Sequence, residues 1–439
     1  MEDRSRALCA VALAAALTFT AGGGAAAADE PQDPPAPSPP PEEPASPPPP
    51  APASSLSVFG GVRLRFTGYL DVGFFKAAGD GVAYVRDVGK RLHPEYADVP
   101  WVFLGDPWAN PVNSQGDSAD LGRDRTNILR FDPIASHGKP SFLVNMVNLG
   151  VVGGAGEKVL FEFSLGFEPR NGTLGSSGDQ IDIDLAYLEW LPWKDRDIHI
   201  FAGKFESTFG IEYRRRKAPD RSGITPSIIA RYTTGTPTGI KLRGSLLGQR
   251  LTYNVALTNG TTATEKFAHF SDELDTNAGK TVSGRISYRL PLPFTLEVGA
   301  SGLTGAQDLQ PSDSDRYHQY GADLQLEAKG LTVRGEWLHA TADGNPVAEA
   351  ASLRARGGFL EAYYQIWPWA GVLARGDYRR AKLFAFPNLY LTDDARATVG
   401  ARFDLTPNAI GKIEYLHVME LTGPELKDDV FAASFIFRF

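Results

Sequence analysis

A basic cluster between positions 207 and 235 is the part of the chain whose side chains are best suited to bind a ligand. It sets six cations against two acids, Glu212 and Asp220, which leaves a formal charge of +4; the cations are Arg214, Arg215, Arg216, Lys217, Arg221 and Arg231. Guanidinium groups hold carboxylates and phosphates through paired hydrogen bonds. The cluster therefore predicts contact with anions, either as a narrow passage for a solute or as a solvated surface patch.

Four further cations share one face of two later segments: Lys241, Arg243, Arg285 and Arg289. Their even spacing places each pair on the same side of a β-strand, where they would extend the basic region. Acidic residues occupy the same kind of position, namely Glu162, Asp182, Asp184, Asp323, Glu327, Glu336 and Glu361. This mixture of signs predicts a transverse field and only a modest preference for anions.

The segments that carry these residues alternate apolar and polar side chains with a period of two. In the first, Val62, Leu64 and Phe66 alternate with Arg63 and Arg65, as in β-strands that have two different faces. The runs extend over about 10 to 12 residues, which suits a tilted strand crossing a bilayer, whereas soluble strands usually stop at about 5 or 6. The pattern predicts an all-β protein, a transmembrane antiparallel β-barrel.

The connections between these runs alternate between short and long. Short ones such as 329–330, 367–370 and 406–409 separate long ones, which are placed at 207–235, 260–279, 304–316, 342–356, 383–394 and 422–428. A transmembrane barrel has this asymmetry because its periplasmic turns are tight and its outer loops are free to grow. The count predicts sixteen strands between 62 and 439, or eighteen if the long first outer loop, 76–140, hides a hairpin near Arg125–Phe131.

The size of such a barrel decides which face points inward. About sixteen strands enclose a lumen too wide for side chains to fill, so we expect the polar face to line water and the apolar face to contact lipid. Aromatic residues near the strand ends fit the belts found at both membrane interfaces; they are Trp190, Trp193, Trp337, Tyr363, Tyr364, Trp367 and Trp369.

Two N-terminal segments precede the predicted barrel, which covers 56–439. Residues 1–28 read as a secretory signal peptide, with Arg4 and Arg6 before an apolar run that contains Cys9, the only cysteine of the 439-residue chain. Residues 29–55 hold thirteen prolines in 27 positions, which is typical of an extended, disordered periplasmic spacer. The mean hydropathy of −0.21 excludes a bundle of membrane helices, which needs several runs of about 20 apolar residues.

Two motifs resemble a known family. Residues 203–212 match G-K-F-x-x-x-F-G-x-E and residues 251–260 match L-x-Y-x-x-x-x-x-N-G, as in the phosphate-selective porin O/P family of Gram-negative outer membranes. The resemblance implies a sixteen-stranded homotrimer in which 207–235, the third outer loop, folds inward as the constriction. The final strand is similar to the terminal signal read by the barrel-assembly machinery, with alternating phenylalanines at Phe435, Phe437 and Phe439.

Taken with the resemblance, the pattern predicts a bacterial outer-membrane porin. Its water-filled channel would let small hydrophilic solutes diffuse passively, with a modest preference for anions such as phosphate. The alternative is a structural tether or adhesin with a plugged barrel, whose proline-rich arm contacts peptidoglycan. Expected partners are outer-membrane lipids and lipopolysaccharide, whose phosphates are the alternative contact for the basic cluster at 207–235. Nothing in the sequence predicts binding to nucleic acid.

Signatures of enzymes are incomplete in this sequence. Gly279-Lys280-Thr281 is similar to the end of a phosphate-binding loop, but Leu274 occupies the place of its first glycine. The seven histidines form no His-x-x-x-His pair, and no G-x-S-x-G is present. We therefore expect no catalytic site, no metal site and no cofactor.

Deletion of residues 29–55 tests whether the proline-rich segment is only an arm. Because this segment is predicted to lie outside the barrel, we expect the shortened protein to keep the single-channel conductance of the full chain in a planar bilayer. Loss of channel insertion would contradict this interpretation of the spacer.

Overall fold

The computed structural model describes residues 56–57, 62–77, 82–87, 131–135, 140–167, 181–259, 277–306, 315–345, 348–385, 388–421 and 429–439. Helical structure in these ranges consists of a 3₁₀ turn at Glu212–Arg215 and a short helix, α1, at Ala230–Thr233. No helix among the described residues is long and apolar enough to cross a membrane. The predicted signal peptide and spacer lie outside the described residues.

Sixteen antiparallel strands form one closed barrel, as the alternation predicts. Each strand pairs with its neighbours in sequence, and the last pairs with the first. The strands are β1 Val62–Ala77, β2 Ser141–Ala155, β3 Val159–Phe167, β4 Ile181–Trp190, β5 Ile198–Lys204, β6 Thr238–Leu246, β7 Leu251–Thr258, β8 Thr281–Arg289, β9 Thr295–Ala306, β10 Arg316–Ala328, β11 Leu331–Asn345, β12 Ala348–Trp367, β13 Ala370–Ala385, β14 Asn388–Thr406, β15 Ala409–Glu420 and β16 Val430–Arg438.

The alternative of eighteen strands is wrong. Within the long first outer loop, Val82–Asp87 pairs with Phe131–Ala135 in a separate two-stranded sheet that is not part of the barrel wall. A further short segment, Leu56–Ser57, pairs with the start of β1. The remaining residues of that first outer loop, other than 76–77 and 140, lie outside the described residues.

Two of the predicted outer loops are instead strands. The ladder of β11 and β12 continues to the pair Asn345 and Ala348, and that of β13 and β14 continues to Ala385 and Asn388. The prediction of loops at 342–356 and 383–394 was therefore wrong. The alternation of apolar residues stops where lipid contact stops, but an antiparallel hairpin continues because each backbone N–H and C=O still gains a partner.

The two faces of the wall differ as predicted. Outward side chains are apolar and exposed, with Phe66, Leu188 and Phe435 at 58%, 57% and 50% exposure. Inward side chains include the buried residues Asp71 and Glu414. Since the polar face is the enclosed one, the apolar face is left to contact the bilayer.

Six of the seven predicted interfacial aromatic residues are exposed on the outer surface: Trp190, Trp193, Trp337, Tyr364, Trp367 and Trp369. Tyr363 is the exception and the prediction was wrong for it. It lies two residues after the buried, inward Glu361, on the same face of β12, and its hydroxyl lies over Gly371 on the neighbouring strand.

The C-terminal residue completes the seam that closes the barrel. Beyond the end of β16, the backbone N–H of Phe439 donates to Gly68 O and the N–H of Gly68 donates to Phe439 O, both at 3.1 Å. A Cβ at position 68 would lie 2.4 Å from Asn148 O and 2.7 Å from Cζ of Phe439. Only glycine therefore allows this close approach of ring and backbone at the seam.

Gly68→Ala is expected to destabilise the barrel by about 1–3 kcal/mol, because the added methyl overpacks the seam. Urea unfolding in detergent, followed by tryptophan fluorescence, measures the free energy of unfolding. Gly302→Ala is the matched control: Gly302 also faces outward, on β9, and a Cβ there meets no atom within 4 Å. Equal stability of the two variants would contradict the role of Gly68.

Candidate functional site

The segment 205–237, which joins β5 to β6, lies inside the barrel. Its apolar side chains are enclosed: Phe205 and Ile229 are both 0% exposed, and Tyr232 is 3% exposed. Hydrogen bonds join this segment, named here the inner loop, to wall residues as far apart in sequence as Glu162 and Glu414. The inner loop therefore crosses the lumen rather than extending outward into solvent.

An apolar contact holds one part of the inner loop against the wall. Phe209, Ile229 and Tyr232 pack on inward residues of β10 to β13, namely Tyr317, Leu338, Ala340, Ala342, Ala355, Phe359 and Ala381. A second contact places Ala218 against Tyr69, Ile410 and Ile436. Alanine at successive inward positions leaves the space that the loop fills. In the sequence, such small residues on the inward face of a strand indicate where another segment fills the lumen.

Glu336 on β11 binds the backbone of the inner loop near its start. Its Oε2 accepts hydrogen bonds from the backbone N–H of Ile211 at 2.9 Å and of Glu212 at 3.1 Å. Gly210, with φ of +69°, makes room for this carboxylate, since a Cβ there would lie 1.8 Å from Oε1. One side-chain oxygen thus satisfies two buried backbone donors, which holds the loop at this point.

Glu414 on β15, four strands away from β11, binds the loop in the same way. It accepts from the backbone N–H of Ile224 at 2.7 Å, and from the N–H and hydroxyl of Thr225 at 3.0 and 2.9 Å. Gly223 again leaves the space, because a Cβ there would lie 1.9 Å from Oε1 of Glu414. Two carboxylates on distant strands thus hold the loop by its backbone.

Wall cations bind the carbonyl groups of the same loop. Arg375 donates to Thr225 O at 2.8 Å and to Pro226 O at 3.0 Å, while Nζ of Lys412 donates to Ala218 O at 2.6 Å. Arg396 donates to Pro226 O and Arg402 donates to Pro219 O and Arg221 O. These four residues were not predicted as site residues from the sequence. Their positions in the alternation predict that they point inward, but do not predict which loop atoms they contact.

Three cations of the predicted cluster form ion pairs with acids of the wall. Arg216 lies 2.6 Å from Asp184, Lys217 lies 3.1 Å from Glu162, and Arg214 lies 3.5 Å from Glu297. Arg221 donates to the carbonyl of Arg216 at 2.8 Å, and Arg215 is half-buried. The side chain of Arg231, in α1, lies outside the described part of the structure.

Burial shifts the titration of two groups in the inner loop. Glu212 accepts hydrogen bonds from the N–H of Ser227 at 2.7 Å and from its hydroxyl at 2.5 Å, yet burial raises the pKa of this carboxyl above its ordinary value. Burial, followed by the charge of Arg334, lowers the pKa of Arg215. Glu212 therefore belongs to the internal support of the loop rather than to a solvated acidic surface.

The four predicted cations of the wall occupy different environments. Nζ of Lys241 lies 4.5 and 4.6 Å from the ring centroids of Phe201 and Phe205. Arg243 lies over Phe201 at 5.2 Å and 3.3 Å from Glu189. The side chain of Arg285 is 1% exposed and paired with Asp323 and Glu297, whereas Arg289 is exposed at the turn end of β8.

The ion pairs are unequal in their exposure to water. The side chain of Arg214 is 36% exposed and its partner Glu297 is 10% exposed. The side chain of Arg243 is 49% exposed and its partner Glu189 is 11% exposed. In both pairs the positive member faces the lumen and the negative member is held in the wall. At these two pairs the guanidinium group is the more exposed partner.

No group of three or more His, Cys, Asp or Glu residues that could hold a metal ion occurs among the described residues. The clustered charges of the lumen instead pair with each other or with the backbone of the inner loop.

The fold is matched by known proteins. A family model described as "Putative beta-barrel porin-2, OmpL-like" matches residues 122–439, well over half of the chain. The chain belongs to this porin family. A closed barrel of this family with an apolar outer face lies in the bacterial outer membrane. No protein with a curated description matches the chain at a significant level.

Solved structures similar to this porin are outer-membrane barrels. The outer membrane channel DcaP of Acinetobacter baumannii has a TM-score of 0.52 and 12% identity, over 88% of this chain and 100% of that one. In-vitro folded OmpT, an outer membrane protein of Vibrio cholerae, has a TM-score of 0.51 and 10% identity, over 88% and 100%. OmpF of Salmonella typhi, in complex with daunomycin, gives 0.51 and 12%, over 86% and 98%. At these identities the likeness shows the fold alone.

Glu414→Ala is expected to loosen the inner loop. The variant leaves two buried backbone donors and a hydroxyl without their acceptor, which lowers the free energy of unfolding by about 3 kcal/mol. Single-channel recordings should show a larger conductance and more open-channel noise than the wild type. Glu157→Ala is the control, because Glu157 is 72% exposed and pairs with Lys194 outside the lumen. Wild-type conductance in Glu414→Ala would mean that this carboxylate does not hold the loop in the passage.

Proposed function

We propose that this porin is a passive channel for small hydrophilic solutes, with a modest preference for anions that include phosphate. The observation that carries the proposal is the unequal exposure of two ion pairs, in which Arg214 and Arg243 are exposed while their partners Glu297 and Glu189 are buried. The inner loop narrows the lumen, so that a solute passes close to these guanidinium groups. The proposed activity is passage, with no catalytic step.

The field along this path favours anions weakly rather than strongly. Fixed positive charge beside a narrow aqueous path attracts anions and repels cations. The partner carboxylates lie within 3.5 Å of the arginines and cancel much of the potential at a distance. The arginines then act mainly at contact, where a guanidinium can form paired hydrogen bonds to a carboxylate or phosphate.

The resemblance to the phosphate-selective porin O/P family supports the proposed channel, because the matching residues hold the start of the inner loop in place. In the segment 203–212, Gly203 has φ of +124° and lies against Ala186 O, Phe205 and Phe209 are buried, and Gly210 admits Glu336. The motif therefore coincides with the start of the loop. Phosphate as a solute and assembly as a homotrimer are part of this proposal.

A plugged barrel that acts as a tether or adhesin is the second candidate. It is favoured by the extent of the loop contacts, which reach from Glu162 on β3 to Glu414 on β15. Liposome swelling distinguishes the two candidates. The channel predicts swelling in small sugars and amino acids, whereas a plugged barrel predicts none.

The double variant Arg214→Gln/Arg243→Gln is expected to lower the ratio of anion to cation permeability by about twofold, because it removes the two guanidinium groups that are more exposed than their acidic partners. Reversal potentials in a potassium chloride gradient across a planar bilayer measure this ratio. Arg250→Gln is the control, since Arg250 is exposed in the tight turn before β7. A wild-type current carried mostly by cations, or an unchanged ratio in the double variant, would refute the anion preference.

A further inference from the structure

A histidine lies on the enclosed face of the wall, at the end of the barrel where the turns are short. His199 on β5 pairs in register with Arg243 on β6, and its ring lies 6.4 Å from that of Phe201, the next residue on the same face. Phe201 packs against Phe205 of the inner loop, so this face points into the barrel. The other histidines that the structure describes lie on the outward face of their strands: His318, His339 and His417.

Each ring nitrogen of His199 contacts a carboxylate. Nδ1 lies 2.5 Å from Oε1 of Glu189 on β4, and Nε2 lies 2.8 Å from Oδ1 of Asp197 in the turn before β5. A neutral imidazole has one N–H donor and one acceptor nitrogen, an imidazolium has two donors, and an ionised carboxylate only accepts. Only the protonated ring therefore satisfies both contacts. The side chain is 17% exposed, so water reaches it and exchanges its proton.

Asp197 is held in place from β6. Its Oδ2 accepts a hydrogen bond from the hydroxyl of Ser245, and its backbone carbonyl accepts from the N–H of Ser245 at 3.2 Å. The hydrogen bond from the Ser245 hydroxyl, and after it the one from His199, lowers the pKa of this carboxyl below its ordinary value. Asp197 therefore remains a negatively charged partner of the ring when the pH falls to about 5.

Arg243 shares the acceptor that His199 uses. Nη2 of Arg243 lies 3.3 Å from the same Oε1 of Glu189, and 3.5 Å from Nδ1 of His199. The protonated ring and the guanidinium therefore divide one carboxylate oxygen between them. In formal charge, the two cations cancel Glu189 and Asp197 when the ring is protonated, and loss of the proton leaves the cluster with one negative charge.

Further charged groups surround this cluster on β4, on β6 and in the inner loop. Nζ of Lys241 donates to the backbone carbonyl of Glu206 at 3.4 Å, and the hydroxyl of Tyr187 donates to Glu162 at 2.7 Å. The ordinary titration ranges of carboxyl, lysine and tyrosine side chains lie outside about pH 5 to 7, whereas that of histidine lies within it. Titration of His199 thus changes the charge of the cluster in this range.

We propose, on the basis of the channel function proposed above, that His199 is a specificity-determining residue whose protonation strengthens the preference for anions. The protonated ring adds one positive charge beside Arg243 and takes up part of Glu189, which leaves the guanidinium more hydrogen-bonding capacity for an anionic solute. The neutral ring returns Glu189 to Arg243 and leaves the cluster with a net negative charge. The ratio of anion to cation permeability therefore rises as the pH falls.

His199→Gln tests the proposal in the full-length protein inserted in a planar bilayer. Reversal potentials in a potassium chloride gradient give the ratio of anion to cation permeability at pH 5.0 and at pH 7.0. We expect the wild-type ratio to be about twofold higher at pH 5.0. His199→Gln, whose amide gains no proton, should lose at least half of this difference. Since carboxyls elsewhere in the lumen also contribute, the comparison of the two proteins is the measure.

His417→Gln is the matched control, because His417 also lies 2.9 Å from a carboxylate, that of Asp429, but on the outward face of β15. This variant should keep the wild-type dependence on pH. His199→Lys, whose charge is fixed, should keep the higher ratio at pH 7.0.

An equal pH dependence in His199→Gln and the wild type, or the same loss in His417→Gln, would overturn the proposal. If the variants of His199 do not fold, the wild type decides: a ratio that rises about twofold from pH 7.0 to pH 5.0 supports the proposal, and an unchanged ratio overturns it. A current carried mostly by cations at both pH values refutes the anion preference of the channel, whereas a change of the ratio that depends on His199 still supports the role of this residue.

Discussion

Backbone hydrogen bonding in lipid is the constraint on which the rest of this structure depends. A bilayer offers no partner to a peptide group, so a spanning sheet must close on itself. Here β16 pairs with β1, and Phe439 extends that ladder to Gly68 beyond the last strand. Closure with sixteen strands then places one face of every strand in lipid and encloses the other, which explains why the apolar side chains are the exposed ones.

The enclosed face imposes a second constraint, because charged groups inside a narrow space need partners. The inner loop supplies many of them from its backbone. Glu336 and Glu414 accept from its N–H groups, while Arg375, Arg396, Arg402 and Lys412 donate to its carbonyl groups. The loop is thereby fixed across the lumen, and Arg214 and Arg243 stay more exposed than their acidic partners Glu297 and Glu189.

Much of the wall was predictable because a strand in a bilayer alternates apolar, lipid-facing residues with polar, inward-facing ones. The strand count, the inward acids Glu162 and Asp184 and the outward Phe435 all followed from this period. The prediction failed for Tyr363, which was assigned to the belt because it is aromatic although its parity is inward. It failed again at 342–356 and 383–394, where backbone pairing continues after the apolar signal has ended.

The sequence by itself determined three things: that this chain forms a barrel, which face contacts lipid, and which loop carries concentrated charge. Each of these follows from local alternation or local composition. Only the tertiary structure decided where that charge is neutralised. Arg216 meets Asp184 and Ile224 meets Glu414, the latter 190 residues away, and such partners are set by the register of a closed sheet. For the same reason, only the structure separates a buried arginine such as Arg285 from an exposed one such as Arg243.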